Sequence, residues 1–394
     1  MSAPTSLRQY LHPPAIAAGL ASVLIGYSSS AVIIFQAARA ASASAEQIGS
    51  WMIALGIGMG LTTFGLSWRY KMPIITAWST PGAALLATSL DGISLSAAIG
   101  AFIFSALLIT LSGITGWFER IIDRIPLALA AAMLAGILFQ FGIDAFLAIE
   151  SRFGLVLFMF VIYLVAKKLI PRYTILLVLI GGLLWCQFAG LLDFSSFALS
   201  VSTPQWVTPS LSLSAIIGVG IPLYVVTMVS QNIPGFAVLR TAGYQAPISP
   251  IITWTGVTTL VIAPFGGFAI NLAAITAAIC TGPEAHENSE KRYIAGLVTG
   301  VLYILLGIFG GAIAALFAAF PVEFVFALAG LALLSTIANS LYTAVADERS
   351  REAAVITFVV TASGITLFGI GAAFWGLVAG VLANFVISRK QHSE

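Results

Sequence analysis

The chain has 394 residues, of which 59% are hydrophobic and 8% are charged, with a formal net charge of +2. A soluble domain carries roughly 25% charged residues, so this composition excludes a water-soluble protein and predicts an all-α polytopic membrane protein in a lipid bilayer. The small net charge says little about partners, and we expect no nucleic-acid partner. The N-terminal segment has no small-residue cleavage site after a short apolar core, so we expect no removable signal peptide.

Apolar runs long enough to cross a bilayer recur along the whole chain. A spanning helix needs about 20 mostly apolar residues, and on that basis we predict fourteen spans, of which the third and tenth are short and interrupted. The stretch 192–212, with Pro204 and Pro209, is predicted to link two halves. The spans lie near residues 15–37, 48–68, 74–90, 94–117, 126–145, 152–169, 173–191, 213–239, 249–264, 268–282, 292–315, 321–343, 353–369 and 372–388.

The basic residues agree with this count of spans. With the N-terminus in the cytoplasm, all of the 17 lysines and arginines except Arg39 and Arg152 fall on the cytoplasmic side. Cytoplasmic loops of membrane proteins are enriched in lysine and arginine. We therefore predict that both termini are cytoplasmic.

The two halves of the chain contain matching patterns. The pattern FxxxR ends spans 1 and 8, a proline opens spans 5 and 12, and Pro73 and Pro264 precede the polar centres of spans 3 and 10. Because each repeat has an odd number of spans, the second repeat has the opposite orientation in the membrane. We therefore predict an inverted repeat of seven plus seven spans, with repeats at 14–191 and 213–391 joined by the linker 192–212. Inverted repeats are typical of transporters, whose sites lie at the repeat interface near the midplane.

Spans 3 and 10 carry residues that disfavour a helix at mid-membrane depth. Span 3 reads TAWSTPGAA from Thr76, and span 10 reads GGFAINLAA from Gly266. We predict a short strand followed by a half-helix in each, with Pro81 in the first turn of one and Asn271 opening the other. Non-helical backbone at this depth persists only when it is buried in protein or lines a wet cavity. The alternative is that proline and glycine merely kink packed helices.

The half-helix ends predict an anion site without a buried base. Each N-terminus offers free N–H donors and a partial positive charge, and two facing ends would attract an anion. No lysine or arginine lies at a span centre. Hydrogen bonding between helices and aromatic packing are the alternative roles for the nearby polar and aromatic residues. The candidate substrate-binding residues are Tyr27, Ser28, Ser29, Ser30, Trp78, Ser79, Thr80, Gln231, Asn232, Phe268 and Asn271.

Ionisable side chains are sparse inside the predicted spans. Among the acidic residues only Glu323 lies clearly inside one, near the outer end of span 12, and the three histidines lie outside. Metal-ligand clusters, nucleophile triads and phosphate loops are absent from the sequence, so we expect no metal, no cofactor and no enzymatic activity. Cys186 and Cys280 lie in apolar surroundings, which favours buried thiols over a disulfide.

The segments AWSTPGAALL, SQNIPG, PFGGFAINLAAITAAI and AGLALLST resemble the benzoate:proton symporter (BenE) family, and the resemblance covers nearly the whole chain. That family is related to nucleobase permeases and anion exchangers with a seven-plus-seven inverted repeat. The resemblance implies a core domain of spans 1–4 and 8–11 and a gate domain of spans 5–7 and 12–14. Substrate would lie between spans 3 and 10, next to spans 1 and 8. It also implies proton-coupled import of benzoate or a similar aromatic carboxylate through the bacterial inner membrane, and it is compatible with a homodimer.

The chain departs from the related nucleobase permeases at the position of their membrane-embedded glutamates. Spans 8 and 10 here carry Gln231, Asn232 and Asn271 instead. The proton therefore has two candidate carriers, the substrate carboxylate, whose solution pKa is about 4, and Glu323. The alternatives to an aromatic-carboxylate symporter are a carrier of another small solute, such as a nucleobase or an inorganic anion, and an anion channel.

Overall fold

The structure is a computed structural model. It describes residues 12–121, 127–193, 201–283, 285–365, 367 and 372–390. The helices of the first half are α1 (Pro13–Ala40), α2 (Ala45–Tyr70), α3 (Thr80–Ser89), α4 (Leu95–Ile114), α5 (Trp117–Ile121), α6 (Leu127–Ser151), α7 (Phe153–Leu169) and α8 (Thr174–Phe188). Those of the second half are α9 (Leu213–Ala215), α10 (Ile221–Thr227), α11 (Ile233–Thr241), α12 (Ile248–Ile262), α13 (Ile275–Thr281), α14 (Tyr293–Ile308), α15 (Gly310–Ala318), α16 (Val322–Ala346), α17 (Arg351–Ala362) and α18 (Ala372–Lys390).

The chain is mostly helical, as the composition predicts. Eight helical segments of the described residues are long and apolar enough to cross a membrane, which confirms a multi-pass membrane protein. The number of fourteen crossings stays a prediction. The segment predicted as a span over 292–315 consists of two helices, α14 and α15, which are separated at Phe309. The opening of span 5 at Pro126, the end of span 13 and part of the linker, 194–200, lie outside the described residues.

The segment predicted as span 8 is a long helix with two wide turns. It runs from Leu213 to Arg240 and contains π-helical segments at Ile216–Gly220 and Met228–Asn232. A proline lies two residues after each segment and removes one backbone N–H from the helix, which favours a local change of hydrogen-bond pattern. The second π segment carries Gln231 and Asn232.

Two three-residue strands pair with each other, one from each half of the chain. Strand β1 (Thr76–Trp78) and strand β2 (Ile270–Leu272) pair antiparallel, and Ala77 lies opposite Asn271. A half-helix follows each strand, α3 after β1 and α13 after β2. The prediction that Asn271 opens a helix is wrong, because this residue lies within β2 and α13 begins at Ile275.

Side chains from neighbouring helices complete the hydrogen bonding of this strand pair. The Thr76 N–H donates to the hydroxyl of Thr63 on α2 at 2.9 Å. The Ile270 N–H donates to the Thr259 hydroxyl at 3.1 Å, and the Leu272 N–H donates to the Asn232 side chain at 3.0 Å. A buried backbone donor without a partner is costly, so these bonds allow extended backbone at this depth.

The helices around the strand pair pack closely. Helix α2 packs on α14 and α4 packs on α12, while α6 packs on α16 and α17. Gly56 and Gly307 lie where α2 meets α14, and a side chain at Gly56 would collide with the backbone of Gly307. Gly266, just before β2, has a φ of +91° and lies against the Trp51 ring, where a Cβ would clash. The strand pair is therefore held against α2.

Candidate functional site

A cavity of about 780 Å³ lies beside the strand pair. One part of its lining comes from α1, β1, α3, the second π segment, α13 and α14, and another part comes from α6, α7, α8 and α16. Small-molecule sites typically have volumes of about 300–1,000 Å³. The cavity is therefore large enough for a small organic solute, and the interrupted helices border it.

An aromatic group forms the inner end of the cavity. The Tyr27 ring meets the Trp78 ring edge-on at 4.8 Å between centroids, and the Tyr303 ring lies 6.1 Å from that of Tyr27. The Trp78 indole N–H donates to the Ser30 hydroxyl at 2.8 Å, and Ser30 donates in turn to the Gly26 carbonyl at 2.7 Å. These bonds orient the indole while its ring lines the cavity.

Hydroxyl groups of Tyr27, Thr276 and Tyr303 lie at this end of the cavity. Of these, the Tyr27 hydroxyl is buried and has no partner at all, while the Thr276 hydroxyl lies beside that of Tyr303, and all three residues line the cavity. A Cβ at Gly26 would lie 3.4 Å from both the Thr276 methyl and the Tyr303 hydroxyl. Buried polar groups in proteins are nearly always paired, so the Tyr27 hydroxyl is suited to a polar group of a bound molecule.

The two half-helices begin differently. Ser79 caps α3, because its side chain accepts from the Gly82 N–H at 3.0 Å, and its own N–H donates to the Ala269 carbonyl. Pro81 follows in the first turn, as predicted. Helix α13 is seven residues long, and Ala274 before it provides no side-chain cap. Some of the backbone N–H donors expected to be free at the N-terminus of α3 are therefore already hydrogen-bonded within the protein.

The structure brings five of the sequence-predicted residues together and places four elsewhere. Those that line the cavity are Tyr27, Ser30, Trp78, Thr80 and Gln231. Those that are buried and do not line it are Ser79, Asn232, Phe268 and Asn271. The backbone of Ser28 and Ser29 lies in α1, and their side chains lie outside the described residues.

The buried residues have structural contacts of their own. The Phe268 ring packs against Trp51 and Phe102, with centroids 6.0 and 5.8 Å away. Asn232 accepts from the Leu272 backbone, as described above, and donates to the Met228 sulfur. The Asn271 amide donates to the Ala269 carbonyl at 3.0 Å, and its side-chain oxygen has no partner.

Sequence reasoning missed several cavity residues. Thr276 and Tyr303 are isolated polar residues in apolar spans, and nothing in the sequence distinguishes them from packing residues. Lys167 belongs to a basic cluster at the predicted cytoplasmic end of the span 152–169, and it lines the cavity. A signal was present on α16, where Ser335, Asn339 and Thr343 recur every four residues, the spacing of one helix face, and all three line the cavity.

Glu323 lies in the first turn of α16, outside the cavity wall. The nearest cavity residue along this helix is Leu331, which places the two about 12 Å apart along the helix axis. In the described residues no group of three or more His, Cys, Asp or Glu could hold a metal ion. The thiols of Cys186 and Cys280 are both buried, as the sequence predicts.

A multi-pass helical protein with a cavity beside two interrupted helices belongs to the class of membrane transport proteins. The family model of the benzoate membrane transport protein, BenE, matches residues 9–386. The chain belongs to this family and is a transport protein, not an enzyme.

Two relatives are similar over nearly their full length. Inner membrane protein YdcO of Escherichia coli K12 is 49% identical over 384 residues, which cover 96% of this chain and 98% of that one. The benzoate membrane transport protein of Acinetobacter baylyi is 42% identical over 388 residues, covering 98% of each chain. The chain is accordingly a multi-pass inner-membrane protein.

Solved structures share the fold at low sequence identity. The structure of SLC26A9 superposes with a TM-score of 0.65 at 14% identity, and the match covers 98% of this chain and 66% of that one. The transmembrane domain of the cyanobacterial bicarbonate transporter BicA superposes with a TM-score of 0.59 at 11% identity, covering 98% of both.

Proposed function

We propose that the protein is a secondary transporter that imports benzoate, or a similar aromatic carboxylate, together with a proton. The observation that carries this proposal is the cavity, whose inner end combines aromatic rings with hydroxyl groups. Membership of the benzoate membrane transport family supports the substrate class, because a relative 42% identical carries that name.

The proposed binding mode follows from the chemistry of the cavity wall. The benzene ring packs against Tyr27, Trp78 and Tyr303, whose rings offer an apolar surface. The carboxylate accepts hydrogen bonds from the hydroxyl of Tyr27, which has no partner in the protein, and from that of Thr276. Gln231 offers an amide donor from the second π segment. The N-terminus of α3 faces the cavity through Thr80 and adds its partial positive charge.

The substrate itself is the favoured carrier of the proton. Benzoate resembles Asp and Glu in acidity, with a pKa of about 4, and no acidic side chain is among the described residues that line the cavity. Glu323 is the second candidate, and it would have to act from outside the cavity wall. An uptake measurement on a variant of Glu323 distinguishes these two routes.

Alternating access is proposed to come from movement of a core domain, spans 1–4 and 8–11, against a gate domain, spans 5–7 and 12–14. This division is supported by the lining of the cavity, because one part of it is made by helices of the proposed core and another part by helices of the proposed gate. The seven-plus-seven inverted repeat, cytoplasmic termini and a homodimer belong to the same proposal.

Uptake of labelled benzoate into proteoliposomes tests the function. With an inward-directed pH gradient, we expect uptake against the benzoate gradient that collapses when a protonophore removes the pH gradient. Uptake that ignores the pH gradient would exclude symport. If other aromatic acids and benzoate all fail to compete or to be taken up, the substrate class is wrong.

The fold similarity to a bicarbonate transporter keeps one other function open to test, the transport of an inorganic anion. Thermal-shift measurements with aromatic acids, nucleobases and inorganic anions separate these substrate classes. Electrical recording separates a carrier from an anion channel, because a channel conducts continuously and gives currents far above carrier turnover.

A further inference from the structure

The mouth of the cavity differs in chemistry from its inner end. Tyr27, Trp78 and Tyr303 at the inner end are buried, whereas Lys167 and Asn339 are exposed. All five line the same cavity. The polar side chains at the mouth come from the end of α7 and from one face of α16. A molecule that moves from the surface to the aromatic end therefore passes these polar groups first.

Lys167 is the charged group of this mouth. Its ammonium donates to the Ser335 hydroxyl at 2.9 Å, which holds it beside α16. Of the described residues that line the cavity, Lys167 is the one with a charged side chain. The ion pair found in the described part of the chain involves Arg351 and Glu348 rather than Lys167. Among the described residues, no carboxylate forms an ion pair with the Lys167 ammonium.

The neighbouring polar groups suit a carboxylate at the same position. Ser335 is hydrogen-bonded to the ammonium, and Asn339 follows one helical turn later on the face of α16 that lines the cavity. Their hydroxyl and amide groups are hydrogen-bond donors. A carboxylate near Lys167 would gain a charge-assisted hydrogen bond from the ammonium, a stronger type than one between neutral groups.

We propose that Lys167, with Ser335 and Asn339, forms a second anion-binding subsite at the mouth of the cavity. Lys167 is predicted to lie on the cytoplasmic side, so during import this subsite receives the carboxylate after the inner end releases it, and it favours anions over neutral molecules of the same shape. The inference rests on the proposed import of an aromatic carboxylate. It adds a full positive charge to the partial charge that the N-terminus of α3 supplies at the inner site.

Binding measurements on the purified full chain in detergent test this subsite, because both faces of the protein are accessible there. We compare benzoate with benzamide, a neutral molecule of the same shape, by titration calorimetry. Lys167→Gln is expected to raise the Kd of benzoate about fivefold, because one charge pair at a solvent-exposed site contributes a binding free energy of that size. The Kd of benzamide should not change, which also shows that the variant is folded.

Two control variants separate the subsite from general effects of charge. Lys168→Gln removes the same charge one residue further on, from an exposed side chain that does not line the cavity, and should leave both Kd values unchanged. Lys167→Arg should keep the native Kd of benzoate. Raising the salt concentration should weaken benzoate binding in the native chain more than in Lys167→Gln, since salt screens exposed charges.

The outcomes distinguish the subsite from the transport function. If the native chain binds benzoate and Lys167→Gln binds it equally well with the same salt dependence, the mouth subsite is wrong and the inner site stands. An equal effect of Lys167→Gln and Lys168→Gln also overturns the subsite, because it indicates general surface charge. If the native chain does not bind benzoate, both proposals are wrong.

Discussion

The indole N–H of Trp78 donates a 2.8 Å hydrogen bond to the hydroxyl of Ser30 and so ties strand β1 to the middle of α1. Both residues are buried and both line the cavity. The bond connects an interrupted span to a continuous one. It fixes the orientation of the largest aromatic ring at the proposed substrate site.

Replacing Ser30 with alanine should damage both folding and binding. The indole N–H of Trp78 would be left buried without a partner, which costs about 1–3 kcal/mol. We expect a lower melting temperature in detergent and weaker benzoate binding by calorimetry. The control is Ser105→Ala, because the Ser105 hydroxyl is also buried but has no partner to lose. A native melting temperature for Ser30→Ala would contradict this role.

Removing the hydroxyl of Tyr27 or Thr276 should weaken benzoate binding. Tyr27→Phe deletes a buried hydroxyl that has no hydrogen bond in the protein, so the melting temperature should stay the same or rise, and Thr276→Val deletes the hydroxyl beside that of Tyr303. The Kd of benzoate should rise about tenfold for each, the value of one hydrogen bond to a charged group.

A matched control exists for these hydroxyls. Thr227 is buried and its hydroxyl has no partner, but the residue does not line the cavity. Thr227→Val should therefore leave benzoate binding at the native level. If Tyr27→Phe and Thr276→Val bind benzoate as the native chain does, the carboxylate does not contact these hydroxyls.

Two adjacent residues, Gln231 and Asn232, are expected to respond differently to replacement by leucine. Gln231 lines the cavity, so Gln231→Leu should weaken benzoate binding and leave the melting temperature unchanged. Asn232 accepts from the Leu272 N–H, so Asn232→Leu should lower stability by about 1–3 kcal/mol. Melting temperature and calorimetry, measured on both variants, check this pair. Equal loss of stability in both would contradict the assignment.

Replacing Glu323 with glutamine tests the route of the proton. Because Glu323 lies outside the cavity wall, we expect Glu323→Gln to take up benzoate in response to a pH gradient at close to the native rate. The measurement is initial uptake into proteoliposomes at several imposed gradients. Loss of the response to the gradient, with exchange of labelled for unlabelled benzoate preserved, would make Glu323 the proton carrier.

Much of the molecule could be predicted from the sequence, because membrane insertion imposes strong local rules. Apolar runs of spanning length, prolines at special positions and the sidedness of basic residues are all readable without a structure. They predicted a polytopic helical protein with two interrupted segments, TAWSTPGAA among them, and Pro81 in the first turn of its half-helix. The start of α13 was predicted too early, because Asn271 extends a strand that exists only through pairing with β1.

The identity of the cavity residues depended on the tertiary structure. Neighbouring polar residues have different surroundings. Gln231 lines the cavity, whereas Asn232 accepts a hydrogen bond from the backbone of strand β2. Lys167 reaches the cavity only because the end of α7 lies beside α16. By itself the sequence determined that the chain is a multi-pass helical membrane protein with interrupted segments after Thr76 and Gly266. Packing between distant segments decided which side chains line the cavity, because that depends on contacts that no local pattern encodes.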